Sequence, residues 1–289
     1  MEVVLALVVP AVALGVVAWL AASRWPRPVE APSLPPAEPS RLPGGASGLA
    51  AVFRRRTDPE ELTGLALTVA LAVLALGVLG VGLLLQMVNT DSGFARWDLG
   101  AARFGADHAS PWTTHLLRAV TLLGGVQGVL VIAVVVAVGE VRRTGSRAVV
   151  GFLVVVIGGQ YVVVEVMKRI IDRDRPDLLN LADFASTSFP SGHSTAAAAT
   201  WMAVAFLVGR GRGPRVRARL VGVAAGIAGA VAASRVLLGV HWLTDVLAGV
   251  LLGWAWFAVC SIAFGGTVLR FGAPVAQTHA AARGRGPTP

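Results

Sequence analysis

Seven apolar stretches, each near the length of a membrane-crossing helix, constrain this chain more than any other feature. They lie near residues 3–22, 62–88, 116–138, 148–167, 194–209, 220–236 and 244–265. A helix rises about 1.5 Å per residue, so about 20 apolar residues cross the hydrocarbon core of a bilayer. Composition points the same way. The chain is 55% hydrophobic and only 14% charged, with a mean hydropathy of +0.71, which excludes an ordinary soluble domain. The expected fold class is all-α: a polytopic membrane helical bundle.

The net charge of +9 would suit a nucleic-acid binder, but the arginines cluster in short segments between apolar runs and form no continuous basic face. No nucleic-acid partner is expected. The single cysteine, Cys260, sits inside an apolar run, so no internal disulfide is possible. No zinc-ligand spacing occurs either. Cys260 reads as packing, and no cofactor or metal is expected.

Four regions follow. Residues 1–22 read as an amino-terminal transmembrane anchor, and 23–61 as a cytoplasmic linker rich in proline and arginine. Residues 62–265 read as the main membrane domain, and 266–289 as a disordered cytoplasmic tail. Proline lacks an amide donor and fixes φ, so the linker reads as extended, either a spacer or a docking segment. A cleaved signal peptide is the competing reading of the first run. Its basic leading region is missing, however, and Arg24 and Arg27 follow the apolar stretch. The pairs Gly222/Gly226 and Gly249/Gly253 read as close helix packing within one bundle, with dimer faces as the alternative.

Cation distribution orients the bundle. The arginines of the linker, Arg142, Arg143 and Arg147, the group from Arg210 to Arg219, and those of the tail all fall on one side. By the positive-inside rule that side is cytoplasmic, and the amino terminus lies outside.

The remaining charge is concentrated in three short motifs. The first is Lys168 with Arg175-Pro176, and Lys168 is the only lysine of the chain. The second is Pro190-Ser191-Gly192-His193, and the third is Ser234-Arg235 with His241 and Asp245. No crossing separates the first from the second. Two crossings lead to the third, so all three return to the same, extracytoplasmic face. Together they suit a phosphate ester, whose transfer spreads negative charge over oxygens that the protein must hold. Arginine supplies planar, bidentate donors and lysine a compact charge, which makes Lys168, Arg175 and Arg235 candidate phosphate ligands. Ser191 and Gly192 form a turn before a helix, a place where backbone amides meet anions, with His193 beside it as proton donor. His241 and Asp245 stand four residues apart. On one helix face the carboxylate would orient the imidazole as a nucleophile.

This arrangement, Lys-x6-Arg-Pro, Pro-Ser-Gly-His and Ser-Arg-x5-His-x3-Asp, resembles the type 2 phosphatidic acid phosphatases (the PAP2 superfamily). It is also similar to the soluble vanadium haloperoxidases. The resemblance covers roughly residues 62–265 and implies a six-helix core, to which the first span is an addition. It implies metal-independent hydrolysis of a lipid phosphate through a phosphohistidine. In that scheme His241 is the nucleophile, Asp245 its support and His193 the acid. Lys168, Arg175, Ser191, Gly192 and Arg235 bind the phosphoryl oxygens. The expected partners are the bilayer and a lipid phosphate substrate, and no protein partner is indicated.

Phosphatidate, phosphatidylglycerol phosphate and polyprenyl diphosphate all present the group that the motifs read. Two rivals stand beside the hydrolase: a phosphotransferase using the same site, and a lipid transporter or scaffold. Outside the motifs, Glu165 reads either as a partner for a site cation or as a surface ion pair. Trp97, Trp112 and Trp242 fall at the outer interface. Residues 89–115 read as an interfacial helix over the site or as packed loop.

Overall fold

The computed structural model describes residues 1–23, 63–176 and 187–264, and within them every regular element is helical. The linker from residue 24 and the tail at 266–289 lie outside the described residues. The helices run α1 (Glu2–Ser23), α2 (Thr63–Asn89), α3 (Asp98–Asp107), α4 (Pro111–Thr121), α5 (Val126–Thr144), α6 (Ala148–Ile170), α7 (Gly192–Gly209), α8 (Pro214–Leu237) and α9 (Leu243–Phe264). Five of them, α1, α2, α6, α8 and α9, are long and apolar enough to cross a bilayer singly.

The stretch expected as one span at 116–138 is built differently. It comprises Pro111–Gly124 and Val126–Thr144, bent by 49° at the break. Ser110 caps α4 with a reciprocal Ser110/Thr113 box and Pro111 at its first position. A short 3-10 turn, Leu122–Gly124, then ends at Gly125 in an extended conformation. Packing demands glycine at this point: a Cβ on Gly124 would stand 2.6 Å from the carbonyl oxygen of His193. The helix breaks where it passes the second motif.

The apolar run expected at 194–209 is α7, only 18 residues long and starting at Gly192. It occupies the middle of the bundle. Ala196, Ala197, Ala198, Ala199 and Ala203 are all buried. Around it, α2 and α6 turn Leu76, Leu79, Val154 and Val162 outward. Lipid is as apolar as leucine, so helices in a membrane are sorted by how closely their backbones approach, with small residues inside and large ones facing lipid. Each glycine pair serves such an approach. A Cβ on Gly249 would fall 2.7 Å from the Ser191 carbonyl oxygen, and one on Gly253 would fall 2.5 Å from that of Thr195. That pair therefore sets α9 against the start of α7.

Gly222 and Gly226 on α8 face α1 instead. A Cβ on Gly15 would lie 2.8 Å from the Gly222 carbonyl oxygen. The first helix thus packs within the bundle. Val3 and Leu7 sit beside Leu117, Leu237 and Leu238, and Glu2 reaches His108 at 2.7 Å. Cys260 is buried in the core with Phe152, Val156 and Leu207.

Candidate active site

At one end of the bundle the three motifs meet. Helix α6 carries Lys168 in its last turn and gives way to an irregular, extended stretch over 171–176. Extended chain alternates its side chains, and burial alternates accordingly: Asp172 and Asp174 are exposed, whereas Ile171, Arg173 and Arg175 turn inward. Arg175 donates through Nη1 to the Val240 carbonyl at 2.8 Å and lies 3.2 Å from Nε2 of His241. Its Nη2 reaches the Thr187 carbonyl at 3.4 Å. Thr187 in turn donates its hydroxyl to the carbonyl of Lys168. The first motif is thereby fastened to the third.

His241 does not lie on the helix with Asp245. The chain leaves α8, turns through Gly239 at φ 67°, and enters α9 only at Leu243. The two side chains meet across the helix start, with Nδ1 of His241 3.4 Å from Oδ2 of Asp245. This exceeds an ordinary hydrogen bond, as catalytic contacts often do before a ligand fills the site. The neighbours determine the tautomer. A guanidinium can only donate and a carboxylate only accept, so Nε2 facing Arg175 carries the lone pair and Nδ1 the proton. Burial pushes the His241 imidazole down to about 4. Asp245 opposes that shift, and Arg175 and Arg235 reinforce it. At neutral pH the ring is uncharged, and its Nε2 lone pair accepts from the Arg175 guanidinium. Burial likewise lowers the Arg175 guanidinium, with Asp245 opposing.

The second motif forms the start of α7. Ser191, its N-cap, is fully buried and accepts from the Ser194 hydroxyl at 3.0 Å. Its amide donates to the Asp245 carbonyl at 3.0 Å. That amide is therefore occupied, and the turn's anion donors reduce to the amides that follow and the Ser191 hydroxyl. His193 lies in the field of Arg235, His241, Arg175 and Lys168. Arg235, 6% exposed, donates Nη1 to Thr121 Oγ1 at 3.2 Å, while its buried Nε makes no hydrogen bond. A buried donor left unmade is costly, and an incoming oxyanion would satisfy it.

Several residues here carried no signal in the motifs. Arg173 donates to Oδ1 of Asp245 at 2.6 Å and to Oδ2 of Asp98 at 2.8 Å. Asp98, on α3, accepts the Thr244 amide and hydroxyl. Period-two alternation from Arg175 would have flagged Arg173, but nothing local marks Asp98 or Thr121.

Glu165 pairs with Arg169 at the surface, 3.1 Å away. Trp97 and Trp112 are exposed, and the Trp242 indole donates to the Asp174 carbonyl. Residues 98–107 are indeed helical, and Asp98 anchors them inward. Among the described residues, no three His, Cys, Asp or Glu side chains converge as metal ligands would. An open cleft of about 680 Å³ between the end of α2 and the extended segment borders Arg173 and Trp242 without containing His241.

Comparison with known proteins adds to this geometry. The family model described as PAP2 superfamily matches residues 149–267. The chain is 37% identical over 147 residues to phosphatidylglycerophosphatase B of Bacillus subtilis (strain 168), covering 50% of this chain and 71% of that protein. It is 34% identical over 133 residues to decaprenylphosphoryl-5-phosphoribose phosphatase of Mycobacterium tuberculosis (strain ATCC 25618 / H37Rv), covering 44% and 66% respectively. Among solved structures it resembles a transmembrane PAP2-type phosphatidylglycerolphosphate phosphatase from Bacillus subtilis. There the TM-score is 0.58 and the identity 30%, over 68% of this chain and 98% of the other.

Proposed function

This chain belongs to the PAP2 superfamily and is a multi-pass membrane phosphatase, and from that premise we propose that it hydrolyses a lipid phosphate or diphosphate through a phosphohistidine on His241. The observation that carries this reading is the disposition of His241. Its Nε2 bears a lone pair beside the Arg175 guanidinium, and its Nδ1 proton faces Asp245.

In the first step the Arg175 guanidinium turns from Nε2 of His241 to a phosphoryl oxygen, and Nε2 attacks phosphorus in line, forming the N–P bond as the P–O bond to the leaving group breaks. His193 gives its proton to the departing oxygen. In the second step water attacks phosphorus and yields its proton to His193. The N–P bond breaks, and its electron pair returns to His241. Lys168, Arg175 and Arg235, with the Ser191 hydroxyl and the amide of Gly192, hold the phosphoryl oxygens. Because Arg235 Nε is buried and unmet, its bond to the oxyanion forms without first breaking another.

The same reading puts the site on the extracytoplasmic side of the plasma membrane. Glu2 beside His108 sets the amino terminus at the site's end of the bundle. Arg142, Arg143 and Arg210 close the opposite end. It also treats residues 1–22 as a retained anchor to a catalytic domain at 62–265, which the packing of Gly15 on Gly222 supports.

The test is a quenched reaction of detergent-purified protein with a lipid substrate labelled with radioactive phosphorus. A phosphoprotein stable in alkali and labile in acid is expected. It should be absent from His241→Ala, whose phosphate release falls by about 10⁴-fold or more. Substantial turnover by His241→Ala would overturn the reading.

A further inference from the structure

Asp245 faces two partners. Its Oδ2 meets His241 and accepts the Trp242 amide at 2.9 Å, while its Oδ1 is taken by Arg173 at 2.6 Å. Arg173 is itself held in place. It donates to Asp98 at 2.8 Å and to the Thr244 hydroxyl at 2.8 Å, and its guanidinium lies 5.5 Å from the centre of the Trp242 ring. Asp98 completes the set, accepting the Thr244 amide at 2.8 Å and its hydroxyl at 2.7 Å. Both carboxylates are buried: Asp245 is 0% and Asp98 4% exposed. One guanidinium therefore sits between two buried carboxylates drawn from α3 and α9, and one of those carboxylates orients the nucleophile. Among the described residues Arg173 makes no hydrogen bond to His241 and reaches it through Asp245.

We propose that Arg173, held by Asp98, is a positioning residue that fixes Asp245 and partly neutralises the charge Asp245 presents to His241. The proposal rests on the reading of His241 as nucleophile. Its physical basis is a balance. A carboxylate left uncompensated beside His241 would hold the imidazolium form, and a protonated ring has no lone pair with which to attack. Too little negative charge would leave the Nδ1 proton, and hence the ring, poorly oriented. A cation shared with Asp98 sets Asp245 between these extremes. The charged and titratable groups facing His241 from the packed elements are Asp245 on α9, Arg175 on the extended segment, Arg235 on α8 and His193 on α7, with Lys168 on α6 acting on His193. The substitutions below leave all of them in place.

The experiment compares the acid limb of kcat/KM for wild type, Arg173→Met, Arg173→Lys and Asp98→Asn, in detergent with thermal melting followed in parallel. Removing the cation in Arg173→Met is expected to lower kcat and move the limb up by about 1 pH unit, because the His241 imidazolium gains an uncompensated carboxylate. Arg173→Lys restores most of the wild-type position. Asp98→Asn removes a negative charge and leaves the guanidinium to Asp245, so its limb moves the other way, to lower pH. A scaffold role alone would lower melting temperatures and leave the limb in place. An unmoved limb in a folded Arg173→Met overturns the proposal, as does an upward move in Asp98→Asn. If Arg173→Met fails to fold, the direction of the Asp98→Asn shift decides. An active His241→Ala would instead reject the mechanism beneath the proposal.

Discussion

The two ends of the bundle both bury charge, and they do so to opposite effect. At the end remote from the motifs, Glu140 on α5 receives Arg143 at 2.8 Å and Arg210 at 2.5 Å, and Arg143 also donates to the Arg210 carbonyl. Each donor finds an acceptor, and the cluster closes on itself. At the motif end, Arg173 is paired with Asp98 and Asp245, whereas Arg235 retains a buried Nε without a hydrogen bond. Among the described residues, a surplus buried donor is left there. A self-satisfied ion cluster is a fastening. A cationic cluster that keeps a buried donor unmet in a partly desolvated pocket is suited to receive an anion.

The largest expected effect breaks the surplus. Arg235→Ala should lower kcat/KM by about 10²–10³-fold, the usual cost of removing one donor to a developing oxyanion. Relief of the unmet Nε offsets part of the loss of the Nη1 bond to Thr121 and of buried volume, so the melting temperature should fall only slightly. A steady-state assay and a melting curve on the same preparation check both. Lost activity accompanied by a large loss of stability would mean that Arg235 is a fastening like those at the other end.

A smaller effect sharpens the electrostatic side of the contrast. His241 is driven down to about 4 mainly by burial, so the neutral ring persists well below the ordinary histidine range. The acid limb of kcat/KM governed by this group should therefore fall near pH 4 rather than near 6.5. Stability follows the same sign. The folded state binds the His241 proton less readily than the unfolded chain does. Its contribution is complete above about pH 6.5 and is lost as pH falls toward 4. Rate profiles and melting curves from pH 3.5 to 8 test both statements, and an acid limb at 6.5 would show the ring to be solvated.

Much of this was legible in the chain, for identifiable reasons. Lipid-facing helices must be long and apolar, so α1, α2, α6, α8 and α9 stand out in sequence. Helix α7 reads short because alanines and hydroxyls face its neighbours and little of it faces lipid. The demand for glycine at the break was hidden, since the carbonyl that Gly124 must clear lies on another helix. The partner of Gly222 and Gly226 was hidden likewise, because nothing in α8 points to Gly15. The motif residues converge as topology required, but by a different local route. His241 reaches Asp245 across a turn at Gly239 rather than along a helix face. Asp98 was invisible because a lone acid in a short polar segment has no periodicity, and only the folded neighbourhood of Thr244 and Arg173 gives it a role.

The smallest effect on chemistry should come from the opposite end. Glu140→Gln removes the charge that Arg143 and Arg210 share while keeping nearly the same shape. The Glu140 side chain is 8% exposed and that of Arg143 45%, so solvent screens part of the interaction and only the pair with Arg210 is well buried. The expected loss is about 1–2 kcal/mol, between the values for exposed and buried pairs, read as a lower melting temperature in detergent. Because the cluster ties α5 to the end of α7, its loosening would reach His193, at the other end of the same helix, if α7 transmitted it. The tight seat of α9 on α7 at Gly249 and Gly253 argues that it does not, since the motif end is held independently. Turnover should stay within about twofold of wild type, the range of a change that leaves transition-state contacts intact. A Glu140→Gln enzyme that melts normally but loses tenfold in kcat would show that the two ends are coupled and would dissolve the distinction between fastening and receptor.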